Sequence, residues 1–187
     1  MRGPMRAPNG RPRCSVFLAV SVDGYIARED GSLDWLSVVQ KEGEDYGYKA
    51  FSDLVDVLVI GRNTYDTVLD FEQWPYPNKR CVVMTHRPTE ALHGEEFFSG
   101  APAALLEKLG QEGVQRLYVD GGSVIQQFLS AQLIDDLTLS VIPLVLGAGI
   151  RLFDAAGPPQ KLILEETHSW ATGLVQLRYR LAPPPEG

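Results

Sequence analysis

Two places constrain the fold most. In each, a β-branched run stops at glycine and hands over to a segment with helical spacing. They are Val59-Ile60-Gly61-Arg62-Asn63-Thr64-Tyr65 and Leu117-Tyr118-Val119-Asp120-Gly121-Gly122-Ser123. A strand that turns into a helix through glycine leaves bare backbone N–H groups at the helix N-terminus, where the helix dipole also attracts an anion. In the first corner Arg62 adds a planar cation, while Asn63 and Thr64 add amide and hydroxyl donors. Two such corners sixty residues apart point to one extended anionic ligand lying across the strand ends of an α/β sheet.

The remaining pattern fits that layout. Ser15 to Val22 reads as a buried strand ending in the turn Asp23-Gly24, followed by Tyr25-Ile26-Ala27. A polar loop with Leu33 and Trp35 leads into a helix expected over 45–55. Strands are expected at 56–60, 80–85 and 116–119, and helices over 64–69, 101–109 and 124–129. From Leu137 the character changes, because 137–142, 161–168 and 174–181 alternate with no helix between them. The spacing predicts one domain over 14–181. Its fold class is α/β, three-layered, with a mixed, mostly parallel sheet, helices on both faces and antiparallel C-terminal strands. Residues 1–13 read as a flexible leader and 182–187 as a flexible tail.

A chain of 187 residues buries a sufficient core without disulfides or metal. The formal charge of −7 argues against nucleic-acid or membrane-surface binding and leaves room for a local arginine site. No apolar run approaches the length of a membrane span, and a cytoplasmic location is the default. Cys14 and Cys81 lie in apolar strand-like runs and read as buried thiols. His86, His93 and His168 lack partners at ligand spacing, so no metal site is expected. With no G-x-S-x-G, H-E-x-x-H or Walker lysine, the common hydrolase and kinase chemistries drop out.

Four pieces, taken in order, resemble the dihydrofolate-reductase-like superfamily. They are Ala19-Val20-Ser21-Val22-Asp23-Gly24-Tyr25-Ile26-Ala27, Gly61-Arg62-Asn63-Thr64-Tyr65, Asp120-Gly121-Gly122-Ser123 and Pro143-Leu144-Val145-Leu146-Gly147-Ala148-Gly149-Ile150-Arg151-Leu152-Phe153. The last piece and Asp23-Gly24 are more similar to the branch named after the C-terminal reductase domain of the riboflavin-biosynthesis deaminase-reductase. The resemblance covers about 14–181 and implies an NADPH-dependent reductase that delivers hydride to a small heterocyclic or related substrate. It implies that Ala19 and Ile26 contact the nicotinamide. Gly61, Arg62, Asn63 and Thr64 would hold the pyrophosphate and the adenosine 2′-phosphate side, with Thr85, His86 and Arg87 as the other half of that pocket. Gly121 and Gly122, with Ser123 following, would pack against the cofactor. Relatives in this branch pair through their terminal strands, so a homodimer through 137–142 and 174–181 is one expectation and a monomer the other.

The departures are specific. Where folate reductases carry an arginine that clamps the substrate carboxylate, this chain has Lys79, which cannot form the same two-pronged bond. The acidic-proline segment of riboflavin-pathway reductases has no counterpart in 66–73, and the zinc signature of the linked deaminase is missing. Three functions stand open: a reductase of an undefined substrate, a nucleotide-binding module without turnover, and the riboflavin-pathway reductase of 5-amino-6-(5-phosphoribosylamino)uracil.

A carboxyl group that supports protonation of the reduced atom has two candidates. Asp45 matches the superfamily's substrate carboxylate by spacing to Gly61, whereas Glu44 falls on the core side of a helical wheel drawn from Phe51. Adjacent helical positions cannot both face one cleft, so the alternatives are Asp45, Glu44, or neither, with the two acids capping a helix N-terminus. Asp23 reads as a turn former or a substrate contact. Trp35 reads as a lid aromatic or core, and Tyr48 and Phe51 as core or substrate stackers. Asp120 stands where an aliphatic is expected and reads as a hydrogen-bonding partner of the tight turn. Gly147-Ala148-Gly149 lacks a third glycine and a following helix, so it reads as a loop rather than a dinucleotide fingerprint.

Overall fold

The computed structural model describes residues 7, 9–154 and 157–182. Ten strands and four α-helices follow one another along the chain. Strand β1 (Arg13–Ser21) leads through a tight turn to β2 (Tyr25–Ala27), a 3-10 helix (Asp34–Val39) and the short α1 (Tyr48–Ser52). Then come β3 (Val57–Gly61), α2 (Arg62–Leu69), β4 (Arg80–Met84), β5 (Glu96–Phe98), α3 (Pro102–Gln111), β6 (Arg116–Asp120) and α4 (Gly122–Ser130). The chain closes with β7 (Asp136–Ile142), β8 (Ile150–Arg151), β9 (Leu162–Ser169) and β10 (Val175–Leu181).

Eight strands form one sheet in the order β5-β4-β3-β6-β1-β7-β10-β9. The pairs from β5 through β7 are parallel, and β10 is antiparallel to both β7 and β9. Period-two alternation sorts the sheet's side chains onto its two faces. Val57, Val59, Val119 and Leu137 pack with Leu105, Leu109, Ile125 and Phe128 of α3 and α4. Leu58, Ile60, Val83 and Tyr118 pack with Phe51, Tyr65 and Val68 on the opposite face. A smaller cluster joins Trp35 and Val39 to Ile142 and Leu174.

Some boundaries differ from expectation. The helix expected over 45–55 shrinks to Tyr48–Ser52, because Tyr46 and Gly47 both take positive φ (54° and 83°) and break helical geometry just before it. Strand β5 escaped detection because three residues are too short to show alternation. Ordered structure also extends ahead of Cys14: Arg13 begins β1, and Arg11 pairs with Asp135 at 2.8 Å. Residues 1–6 and 8 of the expected leader and 183–187 of the tail lie outside the described residues. Leu137, Leu139 and Ile142, offered as part of a dimer face, are buried in the domain's own core, whereas Leu164 and Val175 on the outer strands are exposed. Cys14 and Cys81 are buried free thiols. Among the described residues no helix is long and apolar enough to cross a membrane.

Candidate active site

The ladder between β3 and β6 places Ile60 opposite Asp120, so the two glycine corners emerge side by side on one rim. Neither α2 nor α4 has its N-terminus capped by a side chain, which leaves those N–H groups facing the space outside the strand ends. The space is a cleft of about 1270 Å³. Its floor is bare backbone. A Cβ built on Gly121 would lie 2.4 Å from Thr64 Oγ1, and Gly121 holds φ at +92°, which disfavours other residues. A Cβ on Gly61 would stand 2.9 Å from Val124 Cγ2, and one on Gly122 would stand 3.0 Å from Ile26 Cδ1. Packing of the protein on itself thus holds these three corner positions to glycine.

All twelve residues expected at the cofactor line this cleft. Gly61, Arg62, Asn63 and Thr64 come from the first corner, Gly121, Gly122 and Ser123 from the second, Ala19 and Ile26 from β1 and β2, and Thr85, His86 and Arg87 from the segment after β4. At this polar end the Arg62 guanidinium is held in place. Its Nε donates to Asp66 at 2.7 Å and its Nη1 to the Arg87 carbonyl at 2.8 Å. The Arg87 N–H donates to Thr85 Oγ1 at 3.1 Å, and His86 Nδ1 lies 2.7 Å from Ser99 Oγ. Behind them the Tyr65 hydroxyl donates to Glu95, whose carboxylate also accepts the N–H groups of Leu92 and His93. Burial and this contact push the Tyr65 phenol up to about 12. That bond ties the end of the 85–95 segment to α2.

The inner end has a different character. Phe17, Tyr76, Tyr118 and Asp120 line it. Asp120 accepts the Gly121 N–H at 2.8 Å, as expected, and its carboxyl also meets the hydroxyls of Tyr76 and Tyr118. Enclosure by protein raises its pKa above the ordinary carboxylate range. The Tyr118 hydroxyl donates to the Phe17 carbonyl at 2.9 Å. The same hydroxyl also meets Asp120, so its one proton can serve either acceptor, and donation to the carboxylate offsets part of the rise that burial causes. Burial also raises the phenols of Tyr118 and Tyr76, which stay neutral at working pH.

The other expected site residues lie outside the cleft lining. Asp45 accepts the N–H groups of Gly47 and Lys49, each at 2.9 Å, and Glu44 accepts that of Tyr46 at 2.9 Å, so both acids serve the turn that starts α1. Those bonds hold the Asp45 carboxylate below its ordinary pKa, the reverse of a poised acid. Asp23 accepts from Ser21, Leu146 and Gly147 at 2.7–2.9 Å, which lowers its pKa to about 2 and latches the 144–147 loop onto the β1–β2 turn. Trp35 is buried among Val39, Ile142 and Leu174, while its neighbours Leu33 and Leu36 face the cleft. Phe51 stacks on Phe17 at 4.9 Å between ring centroids, and Tyr48 meets Tyr118 edge-on, so both back the aromatic wall. Lys79 Nζ donates to the carbonyls of Ser52 and Val55 at 2.6 and 2.7 Å and closes the end of α1.

Expectation also missed Arg151, which lines the cleft with its guanidinium 4.9 Å from the centre of the Tyr25 ring. No motif marks it. It is brought in when β8 pairs with β2, and that approach needs Gly149, where a Cβ would come within 2.2 Å of the Ala27 carbonyl oxygen.

Parallel strands that open two glycine corners onto one cleft, with antiparallel strands closing the sheet's far edge, define a dihydrofolate-reductase-like α/β domain. Residues 12–176 match the RibD C-terminal domain, and the chain belongs to that family of reductases. The uncharacterized protein YwjB of Bacillus subtilis (strain 168) is 38% identical over 168 residues, spanning 88% of this chain and 95% of that one. The crystal structure of a Shewanella sp. PV-4 protein assigned to riboflavin biosynthesis superposes with a TM-score of 0.86 at 35% identity, covering 91% of this chain and 99% of that one. Dihydrofolate reductase from Enterococcus faecalis, complexed with NADP(H), shares the fold at a TM-score of 0.67 and 16% identity, covering 91% and 97% of the two chains.

Proposed function

We propose that this protein is an NADPH-dependent reductase of a small heterocyclic substrate, with Asp120 as its proton donor. The observation that carries the reading is the meeting of both glycine corners in one cleft, with Arg62, His86 and Arg87 at one end and an enclosed carboxyl at the other. The uncapped N-termini of α2 and α4, beside Gly61 and Gly121, support a pyrophosphate held there. NADP(H) occupies the Enterococcus dihydrofolate reductase, which shares the fold.

In this reading the N-termini of α2 and α4 hold the pyrophosphate, and Arg62 with the Thr85–Arg87 segment holds the 2′-phosphate. Ala19 and Ile26 seat the nicotinamide edge. When bound, NADPH supplies a hydride to the substrate carbon. Asp120 passes its proton to the neighbouring nitrogen that takes up the electron pair, and water re-protonates the carboxylate. Tyr76 and Tyr118 keep Asp120 oriented and hold water away from it.

NADPH fluorescence during titration of the protein tests the cofactor assignment. Arg62→Ala and Arg87→Ala should each weaken binding roughly 10–100-fold, about 1.5–3 kcal/mol for a bond to a charged group. Oxidation of NADPH with pteridines, aminopyrimidines, flavins and quinones tests turnover. Asp120→Asn should cut it about 100-fold or more while leaving NADPH affinity unchanged. Unaltered fluorescence on adding NADPH to the wild-type protein would end the reading.

A further inference from the structure

The substrate end of the cleft has a chemical character that the cofactor end does not share. Its walls are Phe17, Tyr76 and Tyr118, its polar floor is the Asp120 carboxyl, and Phe51 and Tyr48 brace the aromatic rings from behind. Among the described residues the cations that line the cleft are Arg62 and Arg87 at the polar end and Arg151 on β8. Arg62 is fixed by Asp66 and the Arg87 carbonyl at the polar end, and Arg151 lies over Tyr25 beside α4. Lys79, the residue placed in the chain where a substrate clamp is expected, has turned its ammonium to the two carbonyls that end α1. An anionic group on the substrate would therefore enter an aromatic enclosure without a counter-ion, facing a carboxyl that becomes negative as it releases its proton.

We infer that the substrate is a compact, planar nitrogen heterocycle that carries neither phosphate nor carboxylate and presents a ring nitrogen to the Asp120 carboxyl. This inference rests on the reductase reading and narrows it. It separates the chain from reductases whose substrate carries a phosphoribosyl or glutamyl group, because nothing at the inner end fits either anion. The groups facing Asp120 are the phenols of Tyr48, Tyr76 and Tyr118, all raised by burial, so Asp120 is the first of the four to ionise as pH rises.

Matched probes test it on the full-length protein saturated with NADPH, with binding read by calorimetry. Uracil is compared with orotate, the same ring with a carboxylate, and uridine with uridine 5′-monophosphate. The uncharged member of each pair should bind at least tenfold more tightly. For uracil and orotate the gap should widen as pH rises and Asp120 loses its proton, and Asp120→Asn should remove that widening. Equal or tighter binding of either anionic member overturns the inference, as does a failure of both uncharged members to bind at millimolar concentration. If Asp120→Asn does not fold, the pH series on the wild-type protein decides, because a gap that stays constant across the whole pH range in which the protein is folded removes Asp120 from the argument. NADPH fluorescence on the same samples keeps the outcomes apart. Loss of cofactor binding sinks the reductase reading, whereas intact cofactor binding with tight orotate binding sinks only this inference.

Discussion

Gly121→Ala is the sharpest test of how the cleft is built. The backbone at Gly121 has φ +92° and ψ +132°, a region that residues with a Cβ occupy at a cost of about 1–3 kcal/mol. The added methyl would also stand 2.4 Å from Thr64 Oγ1, forcing that side chain from its rotamer or moving α2, which adds about 0.5–1.5 kcal/mol. The sum is about 1.5–4.5 kcal/mol of lost stability, read as a lower urea midpoint at unchanged slope. A double-mutant cycle separates the two parts. With Thr64→Ala present, the nearest remaining contact is Thr64 Cβ at 3.4 Å, an ordinary packing distance. Gly121→Ala should then cost only the backbone part, leaving a coupling energy of about 0.5–1.5 kcal/mol. A Gly121→Ala protein within 0.5 kcal/mol of wild type would refute the reasoning. So would a cycle with no coupling, since the two corners would then not be in contact.

Two further outcomes concern the rest of the domain. Asp136 lies at the end of the sheet remote from the cleft and bonds Arg13 at 2.6 Å, Arg116 at 3.2 Å and Ser15 at 3.0 Å, all buried. Asp136→Ala leaves two enclosed guanidinium groups unpaired and should cost about 3–5 kcal/mol in urea unfolding, with NADPH affinity of the folded fraction unchanged. A loss under 1 kcal/mol would show that the network is solvated. The raised pKa of Asp120 sets a pH signature of the opposite sign to that of most carboxylates. Its contribution to stability is full below the unfolded value of about 3.9 and is lost as pH rises through the higher folded value. Asp120→Asn should therefore gain on wild type between pH 4 and neutrality in paired urea titrations, and a pH-independent difference would count against an enclosed carboxyl.

The outer end of the cleft was legible in the sequence because its determinants are local. A glycine corner encodes its own backbone turn, and the helix that follows encodes its own direction, so Gly61-Arg62-Asn63-Thr64 and Gly121-Gly122-Ser123 could be read without knowing what lies opposite them. Boundaries of β3, β4, β6, β7 and β10 came within one or two residues for the same reason. The inner end was not legible, because it is assembled from β1, β6 and the segment containing Tyr76, and pairing across strands leaves no mark on any one of them. Helix α1 failed differently. Its apolar spacing suggested eleven residues, but positive φ at Tyr46 and Gly47 is imposed by a turn that helical periodicity does not register.

That failure bears on the proposal that the proton donor comes from a strand. With α1 cut to five residues, Asp45 falls in the preceding turn, where two backbone N–H groups hold it ionised. A carboxylate stabilised by those bonds is a poor proton donor. Asp120 stands on a rigid ladder beside β3, and alternation puts it on the same face as Tyr118, two positions earlier. Alternation within β6 records only that Asp120 shares a face with Tyr118, and what that face meets is set by β1 and the segment containing Tyr76. A strand end also holds a side chain more firmly than a turn does, which suits a group that must meet one atom of a bound ring. Moving the acid back should therefore fail. Asp120→Asn combined with Ser52→Asp, which returns a carboxylate to α1, should leave NADPH oxidation as low as Asp120→Asn alone, whereas recovered turnover would show that any acid near the aromatic wall suffices.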